Sequence, residues 1–289
     1  MRISAKFTFI LLAVVVFVGE ISKDNGNKKI DPRTGIRESP FTPLPDMRPE
    51  GLGTIGPGRT SDREIVIAEE ERKSRAEYTG TAFSIDNNGF WITARHVTNN
   101  CDQLLIARPF QRPLPIEGVA EHIGSDVSLI KTSRGYPPLD VDYNLPIFNQ
   151  EGFHYGFPRG KPGAVYSRLI GRRIMKTIGA NNYKETVHVW AEKKRIPNSN
   201  ESLGGISGGP ILNKDGKVVG IHVAGSLRRG RSFSSLPSNI NDLLNKYNIN
   251  INPAFKMVNT AELNTSDFSN VGNKLREELT VAQVVCRTY

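Results

Sequence analysis

Cysteine is scarce in this sequence: two residues in 289, Cys101 and Cys286. That excludes a disulfide-stapled miniature scaffold and the paired-cysteine spacing of zinc modules. Whether the two form one bridge or stay separate thiols is open, because sequence carries no distance. Long hydrophobic runs are also missing. The most apolar one, FTFILLAVVVFV at Phe7–Val18, has twelve residues, short of the roughly 20 that a membrane-spanning helix needs. There is no phosphate-cradling loop, no aromatic-interleaved basic module and no internal repeat, so the sequence implies no cofactor, no metal and no nucleic-acid partner. The formal charge of +9 points instead to attraction toward anionic surfaces or polymers.

Arg2 and Lys6 precede the apolar run, which is the charged n-region and short h-region of a secretory signal. No small-x-small cleavage site follows. Residues 1–22 are therefore read either as a signal peptide or as an uncleaved anchor giving membrane association through the N-terminal segment. In both readings the body is exported, secreted or periplasmic. Residues 23–62 are rich in Pro, Gly, Asn and charge, as in KDNGNKKIDPRTG, and read as a flexible spacer. DREIVIAEEERKSRAEY, Asp62–Tyr78, has mixed charge and helical propensity.

The texture then changes. GTAFSI, FWITA, QLLIA, DVSLIKT, TVHVWA and KVVGIHVAG are short β-branched and aromatic runs separated by turns such as DNNG and NKDG. Many short strands at such spacing predict an all-β fold, an antiparallel sandwich or barrel. SSLPSNINDLLNKY predicts a short amphipathic helix capped by Ser238, and VGNKLREELTVAQVV a further helix near the C-terminus. These boundaries give one domain at 63–250 and a C-terminal extension at 251–289.

Three separated motifs carry chemistry. His96 follows an apolar strand in FWITARHV, Asp126 opens an alternating strand in GSDVSLIKT, and Ser207 sits among glycines in GGISGGP. A serine hydroxyl becomes nucleophilic when an imidazole accepts its proton, and a carboxylate fixes that imidazole's tautomer. The glycines let the backbone N–H groups of Gly205 and Ser207 converge as an oxyanion hole. His122, His154 and His188 lie in strand-like runs without visible partners and read as structural or surface residues.

TARHV, SDVSLIK and GISGGP resemble the three motifs of the chymotrypsin-like serine proteases, in that family's His, Asp, Ser order. The short His-to-Asp interval and the cysteine-poor body are most similar to HtrA-type and bacterial trypsin-like peptidases, over roughly Tyr78–Tyr247. The resemblance implies two antiparallel six-stranded β-barrels, the active site in the cleft between them, a short C-terminal helix, and hydrolysis of a polypeptide substrate through a Ser–His–Asp triad. Two features depart from it. The 42 residues after Tyr247 are too few for the peptide-binding module that true HtrA proteins append. Ile206 also stands where activated trypsins keep an aspartate, so zymogen activation of that kind is not expected.

Specificity is open at this point. Glu201 occupies the register of the trypsin pocket carboxylate, which selects Lys or Arg, whereas His222 in GIHVAG matches the histidine by which glutamyl endopeptidases recognise Glu or Gln. Ser202 and Gly225 complete the expected substrate-binding set, and Arg228, Arg229 and Arg231 could help hold an acidic substrate. The alternatives to an endopeptidase are a catalytically silent binding or scaffold protein on the same fold, or a chaperone-like quality-control factor. Natural substrate and oligomeric state are not legible.

Overall fold

A computed structural model describes residues 36–37, 60–69, 71–179, 182–226, 229–251 and 263–289. The expected signal or anchor and most of the expected spacer lie outside the described residues. Among the described ones, no helix is long and apolar enough to cross a membrane.

The first β unit is a closed barrel. β3 (Glu77–Ser84), β4 (Phe90–Thr93), β7 (Ser128–Thr132), β6 (Leu114–Glu121) and β5 (Gln103–Ile106) pair in that spatial order, and β14 (Val281–Arg287) closes the ring. β14 pairs antiparallel with β3 from Val281↔Phe83 to Arg287↔Glu77, and with β5 from Val284↔Ile106 to Arg287↔Gln103. Part of the segment read as a C-terminal extension, 251–289, thus supplies the sixth strand. Closure leaves no open edge in this sheet. The helix expected over VGNKLREELTVAQVV is confined to α3 (Phe268–Glu277). The β-branched residues beyond it enter β14, where Val281, Ala282 and Val284 are fully buried.

The second unit is an eight-stranded sheet ordered β1-β2-β9-β10-β13-β12-β11-β8, with β8 (Glu151–Gly156) also pairing β9 (Gly163–Ile178). The pairings thus join β9, β10 (Tyr183–Ile196), β13 (Arg231–Ser235), β12 (Val218–Ser226), β11 (Pro210–Leu212) and β8 in a ring. The first unit is thus the expected six-stranded barrel, whereas the second is a six-stranded ring within a larger, eight-stranded sheet. β2 (Thr60–Ala68) adds to β9 in parallel, and β1 (Ile36–Arg37) adds to β2. The described residues of Asp62–Tyr78, a segment with helical propensity, thus hold strand and no helix. Ile65, Val66 and Ile67 are β-branched, Ile65 is buried in one cluster with Met175 and Val187, and the edge of β9 supplies ladder partners that outweigh a weak helical propensity.

One core joins the units. Phe83, Ile92 and Leu129 of the barrel pack in the same cluster as Phe153, Tyr155 and Ile221 of the second sheet, Leu243 of α2 (Ser238–Lys246) and Phe268 of α3. Burying each such side chain is worth about 1.5–3 kcal/mol. α2 starts as expected, although Pro237 rather than Ser238 is the N-cap residue and no side chain caps it. Cys101 and Cys286 form a disulfide with Cα atoms 5.5 Å apart, tying β14 to the segment after the first helix.

Candidate active site

His96 lies in α1 (Arg95–Thr98), a single turn that follows β4 directly. Asp126 lies in the turn between β6 and β7 and is 4% exposed. The turn brings the two together twice: the backbone N–H of His96 donates to Asp126 Oδ1 at 2.9 Å, and His96 Nδ1 is 2.6 Å from Asp126 Oδ2. A carboxylate accepts at that position, so Nδ1 carries the hydrogen and Nε2 is left with its lone pair. Desolvation alone would lower the His96 pKa, but the Asp126 charge and hydrogen bond together outweigh it and raise the pKa above the ordinary value. Behind α1, Arg72 donates to the carbonyl oxygens of His96 at 2.5 Å and Val97 at 3.1 Å. Its guanidinium stacks over the Tyr78 ring at 4.7 Å.

Ser207 sits in the loop before β11. Its carbonyl accepts from the N–H of Thr81 on β3 at 2.8 Å, while Gly208 N–H donates to the His222 carbonyl at 2.7 Å. The loop is therefore wedged between both β units. Gly208 has φ +86°, and a Cβ there would overlap the Thr81 carbonyl oxygen and the backbone nitrogen of Ala94. Gly205, with φ +96°, turns its carbonyl to the Thr81 hydroxyl at 2.8 Å. Among the described residues no backbone acceptor takes the N–H of Gly205 or Ser207. Ile206 is buried.

His96, Asp126 and Ser207 line one cleft of about 1120 Å³, together with Ser202, Gly205, His222 and Gly225. Glu201 is not brought there. It lines a neighbouring pocket of about 140 Å³ and pairs with Arg159. That hydrogen bond and charge hold its carboxyl below the usual value. A polar loop with a cation nearby turned the side chain outward, which its spacing from Ser207 could not reveal. Arg228 lies outside the described residues, and Arg231 opens β13.

His154, which the sequence left without a partner, backs the cleft-wall residue His222. His154 Nδ1 lies 3.1 Å from His222 Nδ1, and His154 Nε2 lies 2.7 Å from Ser167 Oγ. Burial, then the charges of His96 and Arg195, push the His222 pKa down to about 3, so its imidazole is neutral at neutral pH. Glu185 was missed altogether: its Oε1 accepts the Asp126 backbone N–H at 2.9 Å. The available signal was a glutamate at an inward position of the alternating strand YKETVHVW.

Residues 80–221 match a family described as trypsin-like peptidase domain. Among curated proteins, the chain is 29% identical over 156 residues to a probable periplasmic serine endoprotease, DegP-like, of Halomonas elongata, covering 53% of this chain and 30% of that protein. It is 24% identical over 152 residues to an uncharacterized protein, y4bJ, of Sinorhizobium fredii, covering 52% and 22%. The chain thus spans less than a third of the length of these relatives. Among solved structures, the active form of the Rv3671c protease from M. tuberculosis superposes with a TM-score of 0.50 at 14% identity, covering 77% of this chain and 97% of that one. At that identity the likeness is one of fold.

Proposed function

We propose, from the premise that residues 80–221 form a trypsin-like peptidase domain, that the chain is an exported serine endopeptidase using Ser207, His96 and Asp126. One observation carries this reading: the His96–Asp126 pair, 2.6 Å apart, lines the same cleft as Ser207. Ser207 Oγ attacks the scissile carbonyl carbon while its proton passes to His96 Nε2, and Asp126 stabilises the imidazolium that forms. The N–H groups of Gly205 and Ser207 meet the negative charge that develops on the carbonyl oxygen. The imidazolium then gives its proton to the leaving amine. In the second half, His96 takes a proton from water, the resulting oxygen attacks the acyl carbon, and Ser207 leaves with the proton restored.

Between the two specificity residues, the placement of His222 in the cleft wall and of Glu201 outside it favours a Glu or Gln side chain before the scissile bond. Export is supported by the periplasmic description of the DegP-like relatives and by a disulfide, which persists in oxidising compartments. An active-site fluorophosphonate should label the folded protein at Ser207 and fail on Ser207→Ala, and a peptide library should report cleavage after Glu or Gln. No labelling of the folded wild type would end the protease reading; cleavage after Lys or Arg would end the specificity.

A further inference from the structure

Glu185 has no part in the chemistry just described, yet it touches the group that orients the base. It lies on β10, where Tyr183, Glu185 and Val187 share the buried face, and it is 6% exposed. Its Oε1 accepts the Asp126 backbone N–H at 2.9 Å, and its Oε2 contacts Ser235 Oγ on β13 at 2.7 Å and the Asn239 side-chain amide on α2 at 3.4 Å. One carboxyl group thus joins the β6–β7 turn of the barrel to a strand and a helix of the second unit. No cation pairs with it among the described residues.

We propose that Glu185 is a positioning residue whose proton acts as a switch on the Asp126–His96 pair. As the neutral acid it clamps the Asp126 backbone against the second sheet; as the carboxylate it sets a second negative charge behind Asp126. The effect on rate rests on the protease reading, whereas the effect on His96 does not.

The chemistry of the surroundings favours the neutral form. The titratable groups facing Glu185 are Asp126 from the β6–β7 turn and Tyr183 from its own strand, while β9 places Met175 opposite and β13 and α2 contribute the neutral Ser235 and Asn239. Burial and then the Asp126 charge raise the carboxyl pKa to about 8, so the proton is held at neutral pH. With Oε1 occupied by the Asp126 N–H, that proton sits on Oε2 and is donated to Ser235 Oγ. On ionisation the hydroxyl reverses and donates to Oε2, so this contact survives in either state. The Asp126 side does not adapt in this way, because two carboxylates then repel across a buried boundary. The repulsion draws the Asp126 turn away from His96, and the added negative charge favours the imidazolium.

The test is a proton NMR titration of the His96 imidazole from pH 5 to 10, in a Ser207→Ala background so that no self-digestion occurs. The expected wild-type curve has a second inflection near pH 8 that Glu185→Gln lacks, since glutamine keeps the acceptor for Asp126 N–H and cannot ionise. In parallel, kcat of the otherwise wild-type enzyme should fall at least about threefold from its maximum to pH 9.5, a fall that Glu185→Gln lacks. Identical His96 curves in the two proteins overturn the proposal. Should Glu185→Gln fail to fold, the wild-type curve decides alone: a single inflection overturns it. A second inflection in a protein that hydrolyses no peptide would uphold the switch and sink the protease reading.

Discussion

Replacing both Cys101 and Cys286 by alanine tests whether β14 is held by its ladders or by its covalent tie. The bond closes a loop across a sequence separation of 185, and on loop-closure entropy its removal frees the unfolded chain by about 5 kcal/mol. Structure retained in the unfolded chain reduces that figure. β14 is hydrogen-bonded on both edges, to β3 and β5, and its Val281, Ala282 and Val284 are fully buried, so the strand stays seated while the rest of the barrel stands. A loss of about 3–5 kcal/mol is expected, a large part of the ~5–15 kcal/mol of a typical protein. Trp91 and Trp190 are both fully buried, one in each β unit, so urea unfolding followed by fluorescence reads the loss. Because α1 packs on β3 and β14, His96 should be disturbed before the second unit melts. Midpoints of wild type and double variant agreeing to within about 1 kcal/mol would refute the reasoning, since the ladders alone would then hold the strand.

Asp126→Asn keeps an acceptor for the His96 backbone N–H but turns a donor toward Nδ1, forcing the hydrogen onto Nε2, where the Ser207 proton must go. The rate of fluorophosphonate labelling should fall about 10,000-fold; a fall below tenfold would contradict the assigned tautomer. Wild-type activity should rise with pH as His96 loses its proton, with a midpoint above the ordinary histidine value. Removing the Asp126 charge should move the midpoint of the residual activity downward, which a pH–rate profile measures. Gly208→Ala should cost about 3 kcal/mol or more, because φ +86° is strained for alanine and the added methyl meets backbone of Thr81 and Ala94; thermal melting would show it, and an unchanged melting temperature would count against the loop geometry.

The proposed constellation could be named from sequence because its chemistry demands particular residue types in local contexts. GISGGP needs glycine where another backbone comes close, and TARHV puts a histidine one turn after a buried strand; both are local rules. The alternation of β-branched residues likewise marked most strands from Thr79 onward. What failed were segments whose fate depends on a distant partner. Ile65–Ala68 has helical neighbours in sequence, but an exposed edge of β9 made it a strand. Val281–Arg287 continued a helical pattern, yet two barrel strands far upstream left a gap that only an extended chain could close.

The sequence by itself determined which side chains could serve as nucleophile, base and orienting carboxylate, and that the body would be β. Only the tertiary structure decided that Glu201 turns away to Arg159, that His154 backs His222, that Cys101 meets Cys286, and that Glu185 stands behind Asp126. The physical reason is that acidity, pairing and exposure are set by neighbours in space, and these neighbours come from strands separated by tens to hundreds of residues along the chain.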